Sequence, residues 1–469
     1  MKLFTYSPGG TEIEEEKWTK DKPYVKLPPP SIAVIPLLQH TGAPNTPTVK
    51  VGDHVKIGML IGSTSVPVSA PVHASISGDV IAIEDRLCPT GSKIQSVVIK
   101  NDFKEEMVEF ERVDSIKNLT SEELLKKIRD AGIVGLGGAA FPTSIKLSPP
   151  KNKIIDTVIG NGAECEAYLT TDYRIMKEFP DEIINGILIE LRILDAERGI
   201  IAVEDNKKDA ADLLVQKITE RNLKEKIEVV LLKTKYPQGG EKQLIKAVLG
   251  REVPSGGLPL DIGVVVQNVG TLKAISEAVF EGKPLIERGI TISGTVINNP
   301  GNYMVRIGTQ VSEIIDKVGG LSKKLRKIIF GGPMTGIAQP SLEVPVLKGT
   351  SGILFFGEEY FEMAPEEESP CIRCASCVDS CPIGLLPVFI DHAYRRNDMK
   401  LAESFNAVDC IECGVCSYVC PAKRHLTDNI KKVKQSILKQ RKIEAAKKAA
   451  FEKLKQKREQ ENIEKEAKK

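Results

Sequence analysis

At 469 residues, the chain is long enough to form several domains, each with its own core. Its 41% hydrophobic and 27% charged residues are ordinary for a soluble protein, and a formal net charge of +2 gives no sign of a nucleic-acid partner. No uncharged apolar stretch reaches the length of a membrane-spanning helix, so we expect nothing in the chain to cross a bilayer.

Residues 1–30 are polar and end in a stiff run of three prolines. Residues 31–105 predict a small β domain with strands at Ser31–Leu37, His54–Ile61 and Ile94–Lys100. The segments Val49–Val55 and Ala70–Val80 resemble the biotinyl/lipoyl barrel-sandwich module. The hairpin tip, where that module carries its cofactor on a lysine, has no lysine here. We therefore expect a scaffold role for this domain.

Residues 115–270 predict an α/β domain. A capped helix is expected at Ser121–Ala131 and further helices at Ile184–Leu194 and Asp209–Ile218. Continuous apolar runs at Ile154–Ile159 and Ile227–Leu232 are typical of buried parallel strands. Short β runs return over 285–345, and residues 350–428 contain a predicted helix at Pro387–Asn406.

Eight of the ten cysteines form two identical runs, each reading C-x2-C-x2-C-x3-C-P. This is the spacing that holds [4Fe–4S] clusters, in which the fourth cysteine of each run ligates the other cluster. The spacing predicts a first cluster on Cys371, Cys374, Cys377 and Cys420, and a second on Cys381, Cys410, Cys413 and Cys416. One-electron transfer is the chemistry of such centres.

Structural zinc and a disulfide framework are the alternatives for these cysteines. Zinc sites usually pair two C-x2-C hooks that lie apart in sequence, whereas these hooks are continuous, doubled and followed by proline. Disulfide frameworks suit short secreted chains, and this chain is long, shows no signal peptide and crowds its cysteines into one segment. Both alternatives are less well supported than clusters.

The last segment, residues 429–469, is strongly basic. It carries fifteen Lys and Arg against six Asp and Glu, a net charge of +9, so the rest of the chain carries −7. Its apolar residues recur near helical spacing. One interpretation is a solvated helix, and the other is a basic arm that rests on anionic lipid or on an acidic partner.

A glycine loop, Gly135–Thr143, is the second strong signal in the sequence. Successive glycines let backbone amides approach a phosphate, and Lys146 could pair with that phosphate. The polar segment Asn161–Glu166 follows the predicted strand that ends at Ile159. Ligands of open α/β sheets bind beyond such strand ends.

The order of glycine loop, Asn-x-x-Glu-x-Glu segment and C-terminal iron–sulfur domain resembles the flavoprotein subunit of respiratory complex I. The sequence is more similar still to the C subunit of the Rnf electron transport complex, and Tyr236–Glu241 and Gly331–Gly336 fit that family too. The resemblance covers roughly residues 30–425. It implies a multidomain α/β and β fold: a lipoyl-like barrel-sandwich domain, an α/β flavin- and nucleotide-binding domain, a β-grasp domain and a helical, ferredoxin-like domain with two [4Fe–4S] clusters.

The resemblance also implies site residues. Those expected to line FMN are Gly135, Gly137, Gly138, Phe141 and Lys146, and those expected near flavin or nicotinamide nucleotide are Asn161, Glu164, Glu166, Glu204 and Asp205. Complex I flavoproteins carry Arg where this chain has Leu136 and Gly where it has Ala140, and Rnf C subunits usually carry Pro where it has Ala167. For Glu164 and Glu166 the alternative is a solvated loop without a ligand.

The family implies an NAD(H)-linked oxidoreductase subunit of an ion-translocating complex, a translocase. Electrons would pass between NAD(H), FMN and the two clusters, with ferredoxin engaged indirectly, and no side chain need act as acid, base or nucleophile. The subunit would lie peripherally on the cytoplasmic side of the cytoplasmic membrane, against the other membrane subunits.

Three alternatives remain at this point. A cobalamin reductase shares the modules, but in that family the lipoyl-like module follows the cluster domain. The flavoprotein subunit of a soluble hydrogenase or formate dehydrogenase would usually carry one C-terminal cluster. The third alternative is a relay and docking subunit with clusters and no flavin, which Leu136 and Ala167 keep open.

Overall fold

The computed structural model describes residues 1–359 and 367–467, and in the last helix it describes side chains up to residue 453 and at residue 455. These residues form two compact units. The first contains residues 1–7 and 12–359, and the second contains residues 8–11 and the chain from 367 onward. Among the described helices, none combines the length and the apolar composition that a membrane crossing requires.

The N-terminal stretch supplies two short strands and leads into the small β domain. These strands are β1 (Leu3–Phe4), β2 (Tyr24–Lys26), β3 (Ile32–Pro36), β4 (Thr46–Pro47), β5 (His54–Val55), β6 (Leu60–Ser63), β7 (Val72–His73), β8 (Gly78–Leu87) and β9 (Lys93–Asn101). Two antiparallel sheets, ordered β3-β9-β8-β5 and β4-β6-β7, enclose the core of the domain. The prediction of one strand over His54–Ile61 is wrong, because the chain turns at Gly58 (φ +85°) between β5 and β6.

The α/β domain is built on a parallel sheet. Its elements are α1 (Ser121–Asp130), α2 (Thr143–Lys146), β10 (Thr157–Gly162), α3 (Thr171–Glu178), α4 (Pro180–Leu194), β11 (Arg198–Glu204), α5 (Lys208–Glu220), β12 (Ile227–Leu232), α6 (Glu241–Leu249), β13 (Val264–Asn268) and α7 (Val269–Ser276). The strand order is β1-β12-β11-β10-β13, with every pair parallel. The chain therefore changes direction across the sheet between β10 and β13, the switch point at which such sheets bind ligands.

Strand β10 of this sheet starts later than the sequence predicts. Ile154 is 84% exposed, and the strand begins at Thr157. At its other end Asn161 and Gly162 continue the ladder with β11, and Asn161 also pairs with β13. The polar segment after the strand is consequently held by sheet hydrogen bonds where it begins.

A mixed sheet follows, with one helix against it. Its elements are β14 (Glu287–Gly294), β15 (Gly301–Arg306), α8 (Val311–Lys317), β16 (Lys327–Phe330), β17 (Ile337–Gln339) and β18 (Gly352–Phe356). The strand order is β17-β16-β18-β14-β15-β2. Since β1 joins the parallel sheet and β2 joins this one, the first thirty residues supply an edge strand to two separate sheets.

The second unit is helical. Its helices are α9 (Ser376–Asp379), α10 (Pro387–Arg395), α11 (Met399–Ser404), α12 (Val415–Tyr418) and α13 (Leu426–Ala467). The single helix predicted over Pro387–Asn406 is wrong, because the chain breaks at Asn397 (φ +55°) and Asp398 caps the new helix α11. The first turns of α13 bury Ile430, Val433 and Ile437, whereas residues 438–453 are exposed.

A buried carboxylate holds this unit together. Asp391 on α10 is fully buried and accepts hydrogen bonds from Arg424 (2.5 Å) and from Asn429 (2.6 Å), which lies in α13. Arg395 also pairs with it across one turn of α10 (3.0 Å). Burial opposes ionisation, but these hydrogen bonds hold the pKa of Asp391 below its ordinary value.

We expect Asp391→Asn to lower the free energy of unfolding of the second unit by about 3–5 kcal/mol, because the arginines lose their buried anion. The carboxylate's contribution is present above its unfolded-state pKa of roughly 4 and is lost as the pH falls through the lower folded-state value. Urea denaturation of anaerobically purified protein at several pH values measures both effects. The exposed pair Glu403–Arg441 provides the control, since Glu403→Gln should cost less than about 1 kcal/mol. Equal costs for the two variants would contradict the argument.

Candidate functional site

The glycine loop lies on the amino-terminal end of α7. The Leu136 N–H donates to Thr271 Oγ1 (2.9 Å), and a Cβ on Gly137 would lie 2.8 Å from the Asn268 amide nitrogen. Asn268 caps α7 by accepting the Gly270 N–H (2.8 Å). Loop and helix end thus meet at the switch point between β10 and β13, where backbone amides and the helix dipole favour an anion.

Within the loop, glycine serves two different purposes. At Gly137 it permits close packing, but a Cβ on Gly138 would meet no atom within 4 Å. Gly138 therefore leaves open space beside exposed backbone, which is the space a phosphate needs. Gly135 closes the loop by donating its N–H to the Phe141 carbonyl (2.9 Å), and the Phe141 side chain is 37% exposed.

The barrel-sandwich domain braces this loop. Thr41 donates its hydroxyl to the Ala139 carbonyl (2.7 Å) and its N–H to the Ala140 carbonyl (3.2 Å). Ala140 has φ +50°, a left-handed conformation that costs a non-glycine residue roughly 1–2 kcal/mol. The brace accounts for how alanine is held at this position.

Leu136 is part of the core, and a cation lies beside its backbone. Its side chain is 3% exposed and packs with Val134 and Leu147. The buried guanidinium of Arg288, on β14, approaches the Leu136 carbonyl (3.5 Å) and donates to the Thr350 carbonyl (3.2 Å). Sequence reasoning missed Arg288 because it lies 152 positions along the chain from the loop.

Lys146 is already paired. Its ammonium donates to Glu241 Oε1 (2.9 Å) and to the Val266 carbonyl (2.5 Å), and its side chain is 28% exposed. The lysine therefore ties α2 to the start of α6 and to β13. The phosphate contact expected for Lys146 stays a prediction.

Asn161 joins two loops at the carboxyl end of β10. Its amide donates to the Gly239 carbonyl (2.9 Å) and accepts the Ala163 N–H (3.1 Å). A Cβ on Gly239 would lie 2.4 Å from the Ala163 carbonyl oxygen, so only glycine allows this approach.

Glu164 is bound to the amino-terminal end of α3. Its buried carboxylate accepts the N–H groups of Asp172 (2.9 Å) and Tyr173 (3.3 Å). Asp172 accepts in turn from the Asn268 amide (2.7 Å). Burial, together with the Glu164 carboxylate, raises the pKa of Asp172 to about 7. These hydrogen bonds connect Glu164 through Asp172 and Asn268 to the glycine loop.

Glu166 is bound to a loop of the mixed sheet. Its carboxylate accepts the N–H groups of Met334 (3.0 Å) and Thr335 (2.9 Å) and the Thr335 hydroxyl. A Cβ on Gly332 would lie 2.3 Å from Glu166 Oε2. Burial raises the pKa of Glu166. Neither Glu164 nor Glu166 belongs to a solvated loop, because both carboxylates bind backbone amides.

Lys17 holds the whole segment from the other side. Its ammonium donates to the carbonyls of Glu164 (2.8 Å), Glu166 (2.7 Å) and Leu169 (2.6 Å). Burial lowers the pKa of Lys17. No feature of the sequence marked this lysine, which lies in a polar stretch with several others.

Glu204 is the last residue of β11 and Asp205 follows it, and the two side chains have different surroundings. Glu204 is fully buried and accepts from Lys207 (2.7 Å), while its second oxygen has no hydrogen-bond partner in the described part of the chain. Asp205 is exposed and accepts the N–H (2.9 Å) and hydroxyl (2.6 Å) of Thr234.

A polar cavity of about 190 Å³ lies next to Glu204. Glu164, Cys165 and Lys17 line it together with the N-terminal residues Glu12 and Glu15. The structure thus brings Glu164 and Glu204 to one cavity, whereas Asp205 binds Thr234, which follows β12. Glu164, Glu204 and Lys17 give this cavity charged groups of both signs.

In the second unit, four thiols from both cysteine runs meet. Cys381 of the first run and Cys410, Cys413 and Cys416 of the second line one cavity together with apolar side chains such as Leu385 and Ile430. Burial raises the pKa of Cys410 to about 11 and those of Cys413 and Cys416 to about 12. Bare thiolates are unfavourable there, so this donor set fits a group that carries its own positive charge.

The other thiols form a second group, and the two runs share one backbone conformation. Cys371 and Cys420 lie within electrostatic range of Cys377, while Cys374 is exposed beside Ser376 (3.3 Å). In each run the residues on either side of the second cysteine have positive φ: Arg373 (+59°) and Ala375 (+63°) in the first, Glu412 (+58°) and Gly414 (+82°) in the second. The identical spacing therefore folds into the same turn twice.

Four protein-family models match the chain in sequence order. They are the RnfC barrel sandwich hybrid domain over residues 5–104, the Nuo51 FMN-binding domain over 128–277, the SLBB domain over 290–338 and the 4Fe-4S dicluster domain over 364–432. The glycine loop and Asn161–Glu166 fall within the second match, and all eight cysteines fall within the fourth.

Whole-chain relatives agree with this order. The chain is 46% identical to the C subunit of the proton-translocating ferredoxin:NAD(+) oxidoreductase complex of Clostridium ljungdahlii, over 92% of this chain and 94% of the relative. It is also 46% identical to the Na(+)-translocating counterpart of Acetobacterium woodii, over 88% and 92%. An NAD+-reducing [NiFe]-hydrogenase structure aligns with 62% of this chain and 55% of its own, at a TM-score of 0.46 and 19% identity. The chain belongs to the family of C subunits of the ion-translocating ferredoxin:NAD+ oxidoreductase, or Rnf, complexes.

Proposed function

We propose that this chain is the NAD(H)-linked electron-transfer subunit of an ion-translocating complex, with FMN at the glycine loop and two [4Fe–4S] clusters in the second unit. The observation that carries the proposal is the seat of the glycine loop on the amino-terminal end of α7, with open space at Gly138. The grouping of thiols from both cysteine runs supports the clusters.

FMN, when bound, exchanges two electrons with a nicotinamide and single electrons with an iron–sulfur cluster. The residues of this chain bind and orient the cofactors, and none acts as acid, base or nucleophile. In this proposal Gly135, Gly137 and Gly138 receive the flavin phosphate, with Phe141 and Lys146 at the edge of the same loop. Arg288 adds a buried positive charge beneath the loop.

The polar residues expected near flavin or nucleotide divide into two groups. Asn161, Glu164 and Glu166 shape the flavin site by fixing the loops around it, because their side chains already bind backbone groups. Glu204 lines the polar cavity, and one of its oxygens has no hydrogen-bond partner among the described residues, so it is the carboxylate we assign to nucleotide. Asp205 supports its neighbour Glu204, because its hydrogen bond with Thr234 fixes the backbone that follows β11.

For the clusters we propose the crossed ligand sets. Cys371, Cys374, Cys377 and Cys420 hold the first cluster, and Cys381, Cys410, Cys413 and Cys416 hold the second. The meeting of Cys381 with three thiols of the other run supports the crossing. With crossed ligation, the turn of each run would supply three cysteines to one cluster, and the last cysteine of the other run would supply the fourth.

A relay subunit with clusters but without bound flavin is the second candidate. It is favoured by the pairing of Lys146 with Glu241 and by the backbone contacts that occupy Glu164 and Glu166. In that case the glycine loop would serve as a docking surface for another flavoprotein.

The partners and location follow from the complex. We propose that the chain lies peripherally at the cytoplasmic membrane, on its cytoplasmic side, against the other subunits, with ferredoxin reaching it indirectly. Residues 438–453 of α13 are exposed and mostly basic where charged, which supports contact with a negatively charged surface. We expect the full chain to co-sediment with anionic lipid vesicles at low salt and to dissociate as salt rises, and a chain ending at residue 440 to bind less. Equal binding by both chains would exclude residues 441–469 as the contact with lipid.

The function is tested on anaerobically purified, reconstituted protein. We expect flavin absorbance that bleaches on addition of NADH, followed by reduction of the clusters seen by electron paramagnetic resonance, and about eight irons per chain. Clusters that reduce with dithionite in protein that never retains FMN would support the relay instead. About four irons per chain would contradict two clusters.

The variant Gly138→Ala tests the flavin seat. Since its Cβ meets no protein atom within 4 Å, the thermal stability of the flavin-free protein should be unchanged. The methyl group fills the phosphate space, so FMN affinity, measured by quenching of flavin fluorescence, should fall about tenfold or more, which is about 1.4 kcal/mol. Gly250→Ala, in the same domain and equally free of contacts, should leave FMN affinity as it is. Unchanged affinity in Gly138→Ala would remove the loop as the phosphate site.

A further inference from the structure

The N-terminal residues 8–11 are part of the cluster unit, although about 360 positions separate them from it in sequence. The Gly10 N–H donates to the Ser380 carbonyl (2.9 Å). Gly9 has φ +74° and lies against Cys381, the residue that follows Ser380. This contact is between backbones and needs no side chain from the N-terminal segment.

At Gly9 there is no room for any other residue. A Cβ there would lie 2.3 Å from the Cys381 carbonyl oxygen, 2.5 Å from its carbonyl carbon and 2.9 Å from the Pro382 nitrogen. All three are backbone atoms, so no side-chain rotation relieves the contact. The 2.3 Å approach falls 0.7 Å short of the 3.0 Å below which real Cβ contacts essentially do not occur. Either Cys381 or the N-terminal segment must move to accept a side chain.

Cys381 is also held at its sulfur. Its Sγ accepts the Leu385 N–H (3.2 Å), and the residue is 7% exposed. It is the one thiol of the first run in the cavity shared with Cys410, Cys413 and Cys416. Backbone contact on one side and an N–H···S bond on the other therefore fix where this sulfur lies.

We propose that Gly9 is a positioning residue for Cys381 and, through it, for the second cluster. The inference rests on the proposed ligand assignment. A ligand contributed by the opposite run is not fixed by the local turn of the other three, so its backbone needs a separate support. Gly9 and Gly10 supply that support from outside both runs. Small shifts of a ligand and of its N–H···S bond change the potential and stability of an iron–sulfur cluster.

Gly9→Ala in the full chain, prepared anaerobically, tests the inference. We expect the second cluster to change its electron paramagnetic resonance spectrum and midpoint potential or to be lost, with iron falling toward about four per chain, while the first cluster stays unchanged. Gly250→Ala is the matched control, because Gly250 has a similar φ (+67°) and a Cβ there meets no atom within 4 Å. It carries the same backbone strain without the contact and should keep both clusters as in the unmodified protein.

Cys381→Ser and Cys374→Ser identify which spectrum belongs to which cluster. Cys374→Ser should alter only the first cluster, so the spectrum that it leaves intact belongs to the second. If Cys381→Ser does not alter that second spectrum, the crossed assignment itself is wrong. If Cys381→Ser alters that spectrum and Gly9→Ala does not, the assignment stands and the positioning role of Gly9 is overturned. Flavin retention in the same samples reports the folding of the first unit. Loss of both clusters together in Gly9→Ala also overturns the proposal, since a positioning effect is confined to one.

Discussion

The interaction between the Lys17 ammonium and three backbone carbonyls holds together the loops at the end of the parallel sheet. The ammonium donates to three carbonyls of one short segment, those of Glu164, Glu166 and Leu169, and so fixes the backbone of that segment. With its backbone fixed in this way, the segment directs Glu164 to the amino-terminal end of α3 and Glu166 to the loop at Met334–Thr335. One cation from the N-terminal stretch thus organises the junction of the parallel and mixed sheets.

Glycine allows segments that are distant in sequence to approach closely at several places in the structure. Gly137 accommodates Asn268, Gly239 accommodates the Ala163 carbonyl, Gly332 accommodates Glu166, and in the second unit Gly9 accommodates Cys381. In each case a methyl group would lie under 3.0 Å from a neighbouring atom. Gly138 is different, since its missing side chain leaves space that the protein does not fill. The contrast separates glycines that build the fold from one that is available to a ligand.

The barrel-sandwich domain and the N-terminal stretch hold other parts of the structure in place. The domain lacks the lysine that would carry a covalent cofactor, and it uses Thr41 to hold the glycine loop at Ala139 and Ala140. The N-terminal stretch supplies an edge strand to each of two sheets, the cation at Lys17, and the Gly9–Gly10 contact in the cluster unit. The sequence shows this stretch only as polar, yet it contributes to both compact units.

The sequence by itself determined the domain order, the glycine loop and the two cysteine runs, because spacing and apolar periodicity are properties of neighbouring residues. It also indicated the types of most helices and strands, and it failed where a single residue changes direction, as at Gly58 and Asn397. Only the tertiary structure decided that Glu164 and Glu166 bind backbone amides and that Lys146 pairs with Glu241. It also decided which distant segments Lys17, Arg288 and Gly9 contact. Those roles depend on hydrogen bonds and close contacts between segments that are mostly far apart in the chain, and neither spacing nor composition encodes such contacts locally.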